Sequence, residues 1–106
     1  MVDIQNKKSS KRVAIAEGTM ILSKKAINKI NDDKVSKGNV INTARIAGIM
    51  GAKKTSDLIP LCHPIPIEAI KIDFSINEKD INVLATVSTT NKTGVEMEAL
   101  VAVNIA

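Results

Sequence analysis

The chain has 106 residues, 44% of them hydrophobic and 25% charged, the composition of one globular domain that can bury roughly 65% of its unfolded surface. Its 15 Lys and Arg against 11 Asp and Glu give a formal charge of +4, and Phe74 is the sole aromatic residue. Single-strand binders stack bases on aromatic side chains above a basic groove, so this composition argues against nucleic acid and for a phosphorylated small molecule.

One cysteine cannot form an internal disulfide, and the polar opening "MVDIQNKKSSKR" has no apolar stretch of the signal-peptide or membrane-spanning kind. The expected setting is reducing and cytoplasmic, with no membrane partner. Residues 1–10 read as a polar arm on a single domain covering 1–106. From Lys11 to Leu22, Val13 and Ile15 alternate with smaller or polar residues as in a half-buried strand, which Gly18 weakens in its second half. Ser23 is an N-cap for a short helix with Ala26, Ile27 and Ile30 along one face. "KVSKGN" reads as a turn with Gly38 at positive φ, and Asn39 caps a second helix over 40–54.

That second helix carries Ala44, Ala47, Gly48, Gly51 and Ala52 at helical spacing. Each Gly costs a helix roughly 1 kcal/mol relative to Ala, so tight packing on a sheet or a partner subunit must offset the loss. Next comes "DLIPLCHPIPIE", where Cys62, His63 and all three prolines fall between positions 60 and 66. Beyond it, Ile70, Ile72, Phe74 and Ile76 alternate with polar residues. "NEKD" turns, and Ile81, Val83, Ala85 and Val87 alternate again, predicting an antiparallel hairpin with one face in the core. A last helix opens with Thr93 and Glu96 spaced as a capping box and runs apolar nearly all round to "VAVNIA", without Gly, Pro or a charged last turn. The order of elements predicts an α+β sandwich with helices on one face of an antiparallel sheet.

Chemically, Cys62 beside His63 lacks the further ligands that zinc requires, so no metal is expected. Adjacent side chains also point apart, which disfavours a nucleophilic pair and leaves Cys62 as a small packing residue. His63 has two readings. The prolines at 60, 64 and 66 present it from a stiff segment, which suits a ligand-positioning or proton-transferring group; it also suits a connector histidine. Glu96 and Glu98, about 200° apart around a helix, should not share a face, leaving Glu98 and Met97 to a pocket or a neighbouring subunit.

Three stretches, "KGNVINTARIAGIMGAKKTSDLIPLCHPI" (37–65), "NKTGVEMEAL" (91–100) and the opening "MVDI", resemble the cyclic pyranopterin monophosphate synthase family, molybdenum cofactor biosynthesis protein C. The resemblance spans essentially the whole chain. It implies a ferredoxin-like α+β domain assembling as dimers into a homohexamer, with sites at the dimer interface. It further implies a lyase that needs no cofactor and converts 3′,8-cyclo-7,8-dihydro-GTP to cyclic pyranopterin monophosphate with release of pyrophosphate. By position, Lys37 corresponds to the family's catalytic lysine. Leu61, Cys62 and His63 correspond to its substrate-binding segment, Met97 and Glu98 to its binding pair on the helix, and Arg12, Lys53 and Lys54 are candidate triphosphate contacts. The small-residue strip then reads as close packing within the assembly. Family members continue with a "YDMCKA"-like stretch bearing a catalytic Asp and a second Lys, then a final strand, which here are expected beyond Ala106. A second reading is a non-catalytic variant that binds nucleotide or pairs with a full-length subunit.

Overall fold

The computed structural model describes residues 9–32 and 38–106. Lys37 and most of the N-terminal arm lie outside the described residues. Strand β1 (Ser10–Ile21) is followed by helices α1 (Lys24–Asn31), α2 (Val40–Lys53) and the short α3 (Thr55–Leu58), then β2 (Ala69–Ile76), β3 (Asp80–Asn91) and α4 (Glu96–Ile105). The sheet order is β1-β3-β2, with both pairings antiparallel. Strands β1 and β2 therefore run parallel with β3 between them, joined by a helical crossover, which is the split β-α-β arrangement of an α+β domain.

Local chemistry sets the element ends. The Ser23 hydroxyl accepts from the Ala26 amide at 3.2 Å and the Asn39 side chain accepts from the Asn42 amide at 2.8 Å, each satisfying a donor that the first helical turn leaves open. Gly38, just before the second cap, has φ +105°. The hairpin closes at "NEKD", where the Asn77 amide donates to the Asp80 carbonyl at 2.9 Å and the Asn77 side-chain amide donates to the Asp80 carboxylate at 2.6 Å.

Helices α1, α2 and α4 pack on one face of the sheet. Ile72, Ile81, Val83 and Ala85 from the hairpin meet Ile27, Ala52 and Ala102, while Ala16 and Val87 meet Val95 and Ala99. A fully buried Ile or Val here is worth roughly 1.5–3 kcal/mol. The expected alternation of the hairpin strands is what is seen, with Ala85 and Val87 wholly buried.

In β1 the faces are reversed from the sequence expectation. Val13 and Ile15 are exposed, whereas Ala14, Ala16 and Gly18 face the helices. The cause is the closeness of α4: a Cβ on Gly18 would lie 2.7 Å from a methyl of Val103. A side chain at position 18 would collide with α4.

Three residues of the small-residue strip of α2 find partners inside the chain. Gly48, Gly51 and Ala52 are buried against α4 and β2, and a Cβ on Gly48 would meet Ile72 Cδ1 at 2.6 Å and the Ala102 carbonyl oxygen at 2.9 Å. Beside the strip, Arg45 donates from Nε to the Ile72 carbonyl at 3.1 Å and lies 5.2 Å from the centre of the Phe74 ring, tying α2 to the outer edge of β2.

The Thr93–Glu96 capping box does not form. The N-cap of α4 is Val95, with no side-chain cap bond, and Glu96 is already the first helical residue. No helix among the described residues is long and apolar enough to cross a membrane.

Candidate active site

Two adjoining clefts lie where the proline-rich connector passes the start of α4. One, of about 170 Å³, is lined by Leu61, Cys62, His63 and Ile65 from the connector and by Thr93, Gly94, Glu96, Met97 and Glu98 from the loop and first turn of α4. The other, of about 250 Å³, is bounded by Lys53, Thr55 and Ser56 at the end of α2 and start of α3, and by Pro64, Pro66 and Glu98. Ile65 and Glu98 line both clefts, so the two adjoin as the halves of a groove with Glu98 between them.

The connector is held in place from both ends. At the α2–α3 junction the buried Thr55 hydroxyl donates to the Ala52 carbonyl at 2.8 Å. At the sheet, the buried Thr89 hydroxyl donates to the Pro66 carbonyl, and the Glu68 amide donates to the Ser88 carbonyl at 2.9 Å. Between these anchors the prolines fix φ at three positions, so the backbone around His63 has little freedom left to lose when a ligand binds.

Electrostatically, the junction of the two halves is the unusual point. Glu98 is only 4% exposed. Desolvation by burial pushes its carboxyl above the usual 4.5; a hydrogen bond from its own amide opposes this, and the nearby charge of Glu96 adds to the rise. A carboxyl that keeps its proton further up the pH scale, in one groove with an imidazole, is a pairing that can take and return protons.

Of the residues singled out in the sequence, Leu61, Cys62, His63, Met97 and Glu98 line one cleft and Lys53 lines the other. Cys62 is half-buried in the groove wall rather than packed in the core, a correction to the sequence reading. Lys54 caps the end of α2 outside both linings. Arg12 is also outside them. Its Nη2 donates to the Lys92 carbonyl at 3.4 Å and its Nε is buried without a hydrogen bond, which sets the guanidinium beside the loop that supplies Thr93 and Gly94.

Sequence reasoning missed Thr93, Gly94, Ser56 and the placement of Glu96. It expected Glu96 and Glu98 to diverge, yet both line the same cleft, because the Glu96 carboxylate folds back over Gly94 into space that a Cβ there would occupy. The signal was present in the "TGVE" run, where glycine precedes the acid by two positions. Among the described residues no three His, Cys, Asp or Glu side chains come together as a metal-ligand set.

Residues 1–106 match the MoaC family. Among curated relatives, a cyclic pyranopterin monophosphate synthase of Streptomyces avermitilis is 49% identical over 106 residues, covering 100% of this chain and 62% of that protein. One of the same name from Staphylococcus epidermidis is 50% identical over 110 residues, covering 99% and 68%. A probable cyclic pyranopterin monophosphate synthase of Archaeoglobus fulgidus is 51% identical over 106 residues, covering 100% and 68%. The chain thus spans 62–68% of the length of these relatives.

Proposed function

The chain belongs to the MoaC family, and from that premise we propose that it serves molybdenum cofactor biosynthesis as a cyclic pyranopterin monophosphate synthase. In this reading it converts the cyclised dihydroguanosine triphosphate to cyclic pyranopterin monophosphate and releases pyrophosphate, acting in the cytoplasm as a single domain. The observation that carries the reading is the first cleft. Leu61, Cys62 and His63 reach it from the connector, and Met97 and Glu98 reach it from a helix on the far side of the hairpin in sequence. Two segments that match the family separately in sequence meet at one groove of nucleotide-compatible chemistry.

The roles follow from position and environment. Leu61, Cys62, His63, Met97 and Glu98 bind the substrate, and Lys53 meets its phosphates from the adjoining cleft, with Arg12 and Lys54 as further cations for them. Glu98, with its raised carboxyl pKa, and His63 hold and pass protons while the ring system rearranges. Lys37 is the catalytic lysine.

Assembly into a homohexamer of dimers belongs to the same proposal. It is supported by apolar side chains left on outer faces: Val13 and Ile15 on the sheet, Ile46 and Met50 on α2.

The test is incubation with the cyclised nucleotide and measurement of released pyrophosphate, for the chain and for Lys37→Ala. Release by the chain and its loss in the variant are expected. No release by the chain under conditions where a relative turns over would remove the activity, and full release by the variant would remove the role of Lys37.

A further inference from the structure

Among the described glycines only Gly38 stands at positive φ, so the backbone at Gly94 is one that other residues adopt. The core does not require a glycine there either. The three heavy atoms that a Cβ at position 94 would meet first are the carboxyl carbon and both carboxylate oxygens of Glu96, all closer than van der Waals contact allows. Alanine at a position without backbone strain normally stabilises a protein, because it narrows the unfolded ensemble and leaves the folded one alone. Gly94 therefore costs stability, and what lies over the space it leaves is one carboxylate.

The loop itself is fixed by other residues. Val95 is wholly buried among Ala16, Val87 and Ala99, and the Lys92 carbonyl accepts from Arg12. Glu96 is exposed in the first turn of α4, yet its carboxylate lies back over Gly94 and lines the first cleft with Glu98. The helix dipole favours an acid in that turn, which accounts for Glu96 but not for the absent Cβ two residues before it. The consequence falls on Glu98. The ionisable groups that share its two linings are Cys62 and His63 from the connector, Glu96 from its own helix and Lys53 from the end of α2, and the sheet contributes none. Of these, Glu96 is the carboxylate, and its charge adds to burial in raising the Glu98 carboxyl.

We propose that Gly94 is a positioning residue: by leaving its Cβ space open it admits the Glu96 carboxylate to the first cleft beside Glu98, so that the charge of Glu96 governs when Glu98 gives up a proton. The use of that proton in the reaction rests on assigning the groove to the nucleotide; the pairing itself does not.

Carboxyl NMR follows Glu98 in the unsubstituted chain, in Gly94→Ala, in Glu96→Gln and in the double variant. The alanine methyl pushes the Glu96 carboxylate outward and glutamine removes its charge, so each single variant should move the Glu98 titration to lower pH. Because Gly94 acts through Glu96, the double variant should titrate Glu98 no lower than Glu96→Gln alone. Gly94→Ala should melt no earlier than the unsubstituted chain, and up to about 5 °C later. A Glu98 titration unmoved in either single variant, a further fall in the double one, or a clearly earlier melt of Gly94→Ala, which would make the glycine a requirement of the loop, would each overturn the proposal. None of these readouts needs nucleotide. The pH dependence of pyrophosphate release, measured on the same variants, tests the use in the reaction: the limb that follows Glu98 should shift to lower pH with its titration, and a limb that stays in place would overturn that use. If the chain releases no pyrophosphate while the titrations behave as expected, the assignment of the groove fails and the positioning of Glu96 by Gly94 stands.

Discussion

Gly48→Ala isolates the close approach of α2 to α4 and β2. Taken alone, the change favours the helix by roughly 1 kcal/mol. The added Cβ, however, would sit 2.6 Å from Ile72 Cδ1, 2.9 Å from the Ala102 carbonyl oxygen and 2.9 Å from Ala106 Cβ. A methyl at the end of an isoleucine can swing aside, but a helix carbonyl moves only if α4 moves. Overpacking of this kind costs roughly 1–3 kcal/mol, and the backbone contact places it at the upper end, so the net effect is a loss of about 1–2 kcal/mol. For a domain of this size that lowers the melting midpoint by about 5–10 °C. Gly51→Ala is the control. The three atoms nearest its Cβ would all belong to the Ile105 side chain, at 2.9–3.1 Å, in the half-exposed last turn of α4, which can give way. The helix-propensity gain then nearly cancels the crowding, and stability should stay within about 0.5 kcal/mol. Calorimetric melting of both variants decides the matter. A Gly48→Ala variant as stable as the unsubstituted chain, or one costing no more than Gly51→Ala, would refute the account of α2 against α4.

Three further outcomes are expected. The folded pKa of Glu98 lies above its unfolded value, so the folded state binds the extra proton and loses stability as pH rises from the unfolded value through the folded one. Glu98→Gln removes that penalty: it should be more stable than the unsubstituted chain at neutral pH, with the gap closing below about pH 4.5, and parallel stability curves across pH would contradict the burial argument. Thr89→Val leaves the Pro66 carbonyl without its donor, at a cost of about 1–3 kcal/mol in denaturant unfolding, and should weaken nucleotide binding because the connector is no longer pinned to β3. His63→Ala should keep the fold, judged by circular dichroism and melting, and lose substrate affinity or turnover. Earlier melting with kinetics intact would make the histidine a connector residue.

Much of the fold could be read from residue order because the relevant signals are local. The β2–β3 alternation holds at nearly every position since one face has water against it and the other has helices. Ser23 and Asn39 cap as expected because a cap depends only on residues three positions away. Where the reading failed, the deciding partner was distant in sequence. Val13 and Ile15 are large hydrophobic residues of β1, yet α4 approaches the opposite face so closely that a Cβ at Gly18 would meet Val103, and Val13 and Ile15 face outward. The Thr93–Glu96 spacing satisfied a local rule, but the Glu96 carboxylate turns back over Gly94 and α4 starts without a side-chain cap. The site was legible in its motifs and not in its geometry: nothing local places Glu96 in the same cleft as Glu98, or Lys53 in the one beside it.

The strip and the groove are one device. Gly48 and Gly51 let α2 close onto α4 at Ala102, Ile105 and Ala106, and one turn or more earlier in α4 Glu98 lines a cleft with Lys53 at the end of α2. Burial is the leading cause of the raised Glu98 pKa, and the end of α2 forms one wall of the cleft that Glu98 lines. Helix propensity given up at two glycines is therefore converted into core contact beside the groove. It follows that Gly48→Ala should reach the site as well as the core. By prising α4 from α2 it should rehydrate Glu98 and bring its titration back toward 4.5, which carboxyl NMR would read directly. A Glu98 titration untouched in a Gly48→Ala variant that is clearly destabilised would separate the two functions and show that the carboxyl is buried by the connector alone.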